Sequence, residues 1–189
     1  ITSLIDSNSI FGGINSIISN SCFLILLILT IYYWGLNIFY SNPTVTTTVF
    51  ETTNINKETN SRKFGFVGFL IVNILLALQL IERWFESGHF PISGLYESLL
   101  FLSWSLVLFQ LIIDYKTQIS LIGSLVAPLV LVIVTFTGFI LPPELQLNKP
   151  LVPALQSNWL FMHVTVMMLS YAALILGSVL SMIYLGLIF

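Results

Sequence analysis

Polar and apolar residues alternate along this chain in blocks rather than turn by turn, and five apolar blocks are long enough to cross a bilayer. A membrane helix needs about 20 predominantly apolar residues. The blocks occupy residues 21–40, 65–84, 95–113, 119–141 and 159 to the end. The first closes in the aromatic cluster Tyr32, Tyr33 and Trp34, as suits a headgroup region. The fourth contains Pro128 and ends at Pro142 and Pro143. Hydrocarbon leaves the edge of an open sheet unsatisfied, so the predicted fold is all-α, a polytopic membrane bundle of five transmembrane helices with the lipid bilayer as its solvent. Between the first two blocks, SNPTVTTTVFETTNINKETNSRK is rich in Thr and Asn and reads as a solvated, mobile loop. Nothing divides the chain, so residues 1–189 read as a single membrane domain.

Composition agrees. Hydrophobic residues make up 57% of the chain and charged residues 7%, against about 25% charged in a soluble domain. A net charge of −2 argues against a nucleic-acid partner. The lone Cys22 excludes an internal disulfide framework and a cysteine-based metal cluster. Asp6 and the lack of a basic stretch ahead of the first block argue against a cleavable signal. The chain starts at Ile1 and ends at Phe189 inside an apolar run, as a fragment would.

Charge sets the expected orientation. Lys57, Arg62 and Lys63 share a side with Lys116, which the positive-inside rule makes cytoplasmic or stromal. The opposite side then carries residues 85–94 and 142–158, with Arg83 and Lys149 as its basic residues. Both histidines, His89 and His163, fall on this outer, lumenal or periplasmic face.

Candidate chemistry gathers at the same face. Gln79, Glu82 and Glu86 share one side of the second helix, with Arg83 and Glu97 close enough in sequence to pair. They form either a solvated, salt-bridged helix end or a scaffold for an outer-face site. Gly88 and Pro91 break the chain, Ser93 is placed to cap the third helix, and Glu97 falls in its first turn, where the helix dipole favours an anion. On that helix Tyr96, Ser103 and Gln110 recur every seventh residue, as do Glu97 and Trp104, so these stripes are expected to face other helices. His89 reads as an interface residue bonded to a neighbour. On the last helix His163, Ser170, Gly177, Ser181 and Tyr184 share about a quarter of the circumference, and Ala173, Gly177 and Ser181 form a small-residue seam. His163 is therefore expected to point into the bundle or its mouth. Three roles are open to it there: axial ligand to haem iron, proton carrier, or structural interfacial histidine. Met162, Met167 and Met168 read as packing residues. No P-loop, HExxH, GxSxG or CxxC pattern occurs, and no catalytic residue is identified.

Two strings carry a resemblance. ERWFESGHFPISGLYESLLFLSW and LVPALQSNWLFMHVTVMMLSYAALILGS resemble the CcsA (ResC-like) cytochrome c biogenesis family of cyanobacteria and chloroplasts, closely over residues 79–177 and in layout before them. The resemblance implies system II cytochrome c maturation: delivery of haem b to apocytochrome c and its covalent attachment, in a complex with a ResB/CcsB-type membrane partner, on the outer side of a thylakoid or bacterial inner membrane. It also implies that His163, in NWLFMHV, is an axial ligand to haem iron, with Trp159 and residues 151–158 at the rim of the site. The family's tryptophan-rich WWD cradle and its remaining histidines have no match here and are expected after Phe189. Gly94 stands where the family's SNLYES string has Asn, a change to a turn rather than to a ligand. Two other classes remain on the residues alone: a proton-coupled secondary transporter using Glu82, Glu86 and His89, and a structural membrane subunit.

Overall fold

The computed structural model describes residues 2–40, 51–87, 94–117, 120–142 and 158–188. They form five long helices: α1 (Thr2–Tyr40), α2 (Glu51–Ser87), α3 (Leu95–Thr117), α4 (Ser120–Thr135) and α5 (Asn158–Ile188). A π-helical turn, Phe136–Ile140, continues α4. Among the described residues the fourth apolar block runs through α4 and the π turn to Leu141, and each of the other blocks lies within one helix; five spans are long and apolar enough to cross a membrane, from Ser16–Gly35 to Phe161–Gly186.

Helices α1 to α4 make an up-down-up-down bundle. α1 packs on α2 and α4, and α3 packs on the same two, which puts α1 and α3 at opposite corners. α5 lies outside this square, against α3 and to a smaller extent α4. The core stripes step by three and four residues, as antiparallel helices packed at a shallow angle require: Cys22, Leu26, Leu29 and Tyr33 on α1, and Phe69, Val72, Leu76, Gln79 and Arg83 on α2. On α3 the stripe is Tyr96, Leu100, Ser103, Val107, Gln110 and Asp114, every one buried. The sevenfold polar repeat of α3 thus faces other helices, as its spacing implied. Buried hydroxyls are satisfied within their own helices: Ser103 Oγ donates to the Leu100 carbonyl at 2.8 Å and Ser105 Oγ to that of Phe101 at 2.8 Å. Across α1 and α2, Gln79 Nε2 donates to Ser19 Oγ at 3.0 Å. Gln79→Leu should therefore cost about 0.6 kcal/mol and at most about 1.7 kcal/mol, the range for interhelical hydrogen bonds in membranes, read by unfolding in mixed micelles.

Three boundaries differ from the sequence expectation. α2 begins at Glu51, so residues 51–63 of the expected loop are helical, while 41–50 lie outside the described residues. Once a long apolar span has nucleated a helix, extending it through polar residues is cheap, and Glu58 and Arg62 sit at the supportive i, i+4 spacing. α1 likewise runs back to Thr2, well ahead of its apolar block. At the start of α3 the cap is Gly94 rather than Ser93, which lies outside the described residues. The Gly94 carbonyl accepts the Ser98 N–H at 3.0 Å, and Glu97 Oε2 accepts the Gly94 N–H at 3.3 Å, half of a capping box. At the other end of the fourth span, the Leu141 N–H reaches the Phe136 carbonyl at 3.0 Å, closing the π turn. Leu141 is then extended (φ −67°, ψ 127°), the conformation a following proline favours.

Candidate functional site

α5 starts at the end of the bundle where α3 also starts and α4 finishes. Trp159 and His163 stand one turn apart on it, and their rings stack at 5.5 Å between centroids and 3° between planes. A spacing of four residues puts two helical side chains over each other, so the stack follows from sequence position once the helix extends back to Asn158. Trp159 is 75% exposed and His163 is exposed beside it. The imidazole is held in one plane by the indole while its outer side stays open.

The direction of His163 corrects the expectation from helical spacing. His163, Ser170, Gly177, Ser181 and Tyr184 are all exposed, and α5 meets the bundle through Ala172, Leu176 and Val179. Ala173 of the small-residue seam is exposed with them. Helical spacing points His163 inward only if the polar residues of a membrane helix choose the packed side. Outside that strip α5 is apolar but for Thr165, Tyr171 and Ser178 on other sides of the helix, and only 18% of its span is buried, so its pattern does not select a face. The strip presents an imidazole, two hydroxyls, a glycine and a phenol outside the helices of this chain.

The polar residues of α2 and α3 gather at the same end but form a separate, buried group. Arg83 is 8% exposed, with its guanidinium 4.4 Å from the centroid of the Tyr96 ring, a distance at which the ring face attracts a cation. Glu97, next to Tyr96, is 4% exposed. Sequence spacing brings Arg83 and Glu97 together but misses Tyr96 as the surface on which Arg83 rests; the signal is an aromatic residue beside the acid on the facing helix. Glu82 is half-buried, Glu86 is placed in α2 by its backbone, and His89 lies outside the described residues. Lys149 and residues 151–157 of the expected rim also lie outside them. Among the described residues no group of three or more His, Cys, Asp or Glu side chains could hold a metal ion. His163 is one open imidazole on a helix, stacked on an aromatic plane, and an imidazole is a group that can serve as an axial ligand to haem iron.

The family model for the cytochrome C assembly protein matches residues 92–188, which hold α3, α4, the π turn and α5. The chain is 48% identical over 173 residues to the cytochrome c biogenesis protein CcsA of Chlorella vulgaris, covering 91% of this chain and 50% of that protein. It is 44% identical over 172 residues to CcsA of Mesostigma viride, covering 91% and 51%. Against CcsA of Pyropia yezoensis the identity is 55% over 116 residues, covering 61% and 36%. The chain thus spans about half the length of the first two of these relatives.

Proposed function

The chain belongs to the cytochrome c assembly protein family, and from that premise we propose that it serves cytochrome c maturation by delivering haem b, as substrate, to apocytochrome c and supporting its covalent attachment. The observation that carries this reading is the Trp159–His163 stack inside the matched region. The stack gives the chain one oriented, open imidazole at a helix end. His163 is the axial ligand in this proposal and Trp159 the rim of the site. Haem supplies the iron and the vinyl groups that become thioethers. The chain's own residues hold the iron from one side, fix the plane of the ligand, and anchor it to a bundle whose rigidity comes from the α3 core.

The bonds themselves form on apocytochrome c, so the chain acts as a component of a haem-attachment complex with a ResB/CcsB-type partner and apocytochrome c. The basic residues Lys57, Arg62, Lys63 and Lys116 favour an orientation with the histidine end on the lumenal or periplasmic side, in a thylakoid membrane or a bacterial inner membrane. The relatives give a proton-coupled transporter no support.

The test is inactivation of the gene in its own cells. Covalently bound haem, read by haem staining of denatured membrane and soluble fractions, should disappear from c-type cytochromes while b-type haem stays at its normal level. Cells that keep their full set of c-type cytochromes would overturn the reading.

A further inference from the structure

α5 is covered on one side only. Its span is 18% buried, against 39% for that of α2 and 50% for that of α3. It meets the bundle along Ala172, Leu176 and Val179. At about 3.6 residues per turn, Ser170, Gly177 and Ser181 lie on the side of the helix turned away from those three, below His163. All of them are exposed, and so is Ala173 beside them.

Glycine marks close crossings elsewhere in the bundle. A Cβ at Gly65 or Gly123 would run into Tyr33, and one at Gly68 into Leu29. Gly177 lies well inside the span Phe161–Gly186, yet among the described residues a Cβ there would have nothing within 4 Å. A glycine inside a helix costs about 1 kcal/mol relative to alanine, and no neighbour within the chain recovers that cost by approaching it. Ala173 and Ser181 stand one turn before and one turn after, so a shallow groove of small residues runs along the outer side of α5. Small residues at this spacing let two membrane helices bring their backbones close and gain van der Waals contact. Ser170 Oγ already donates to the Met167 carbonyl at 2.7 Å, so what the strip lacks is packing rather than a hydrogen-bond partner.

The length of the relatives says where an occupant comes from. The match covers 50% of the Chlorella vulgaris protein and 51% of the Mesostigma viride protein, so about half of each lies outside it. We propose that the groove along Ala173, Gly177 and Ser181 is the docking seam for a transmembrane helix from that other half of the family's length. A helix seated there runs up the side of α5 that carries the Trp159–His163 stack, and so walls the open side of the imidazole. The inference rests on family membership and on the shape of α5. It holds or fails whatever His163 binds.

The probe is the half of Chlorella vulgaris CcsA outside the match, produced in the same cells as the full chain and carried with it into lipid nanodiscs. A nitroxide on Ser170→Cys reports on the strip, and one on Met182→Cys, 70% exposed on another side of α5, serves as control. Both are made in a Cys22→Ala background, and the readout is collision with oxygen dissolved in the lipid. In the chain alone both labels should meet oxygen freely. With the other half present the two parts should purify together, and collision should be lost at Ser170→Cys and kept at Met182→Cys. Gly177→Leu fills the groove without touching any described neighbour in the chain, so the chain should still insert while the other half no longer purifies with it. A strip label that stays in full contact with lipid in the joined protein would overturn the proposal, as would failure of the two parts to purify together. Shielding of the strip in nanodiscs holding two copies of the chain alone would overturn it as well, because the occupant would then be a second copy. None of these readings depends on haem.

Discussion

Replacing His163 with glycine should abolish assembly of c-type cytochromes, and imidazole added to the cells should restore it. Losing a partner that merely orients a metal ligand costs about 10–100-fold, so loss of the ligand itself should lower cytochrome maturation by more than about 100-fold. His163 is exposed and contacts Trp159 rather than the core. Removing its ring therefore leaves the α5 interface at Ala172, Leu176 and Val179 in place, and the protein should reach normal levels in the membrane. Glycine weakens a helix interior by about 1 kcal/mol relative to alanine; His163→Ala separates that effect, since it should lose activity equally without the cost in helix stability. Trp159→Ala tests the stack. With the indole gone the imidazole stays but is no longer fixed in plane, so maturation should fall by about tenfold, the lower figure for an orienting partner. Normal maturation by His163→Gly without added imidazole would show that the chain does not hold iron through this residue.

Membrane helices announce themselves by length and composition, which is why all five spans are legible in the sequence. The interior of the bundle is legible on α3 for a second reason: its polar residues recur every seven positions, and Tyr96, Ser103 and Gln110 are buried accordingly. The same logic fails on α5. There the polar strip from His163 to Tyr184 turns outward, because lipid tails exert no pull that distinguishes one apolar face from another. Packing decides instead, and Ala172, Leu176 and Val179 fit against α3 and α4. The polar stretch 51–63 escapes for a related reason: a helix already formed by its apolar part extends through residues whose composition alone suggests a loop. At the proposed site, the nearness of Trp159 to His163 is legible from their four-residue spacing. The outward direction of His163 is not, because direction depends on which helices α5 meets. Arg83 resting on Tyr96 is hidden because it depends on how α2 and α3 align.

Gly65→Leu should destabilise the bundle by about 3 kcal/mol, the upper part of the range for overpacking a filled core, while Gly68→Ala should change it little. Both glycines lie on α2 facing α1, but they meet different neighbours. A Cβ at Gly65 would run into the hydroxyl and ring of Tyr33. That ring has nowhere to go: an added Cβ at Gly123 would lie 2.9 Å from it on the α4 side, and Phe69 stands 5.8 Å away between ring centroids. A Cβ at Gly68 would instead meet the end of the Leu29 side chain, Cδ1 first, and a leucine can turn its methyl groups aside by changing rotamer. The gain of about 1 kcal/mol in helix propensity on replacing glycine then offsets the cost at Gly68 but not at Gly65. Unfolding in mixed micelles measures both, and pairing Gly65→Leu with Tyr33→Ala should recover much of the loss, because residues in contact do not add independently. A Gly65→Leu protein as stable as the native chain would mean that Tyr33 is not wedged between α2 and α4.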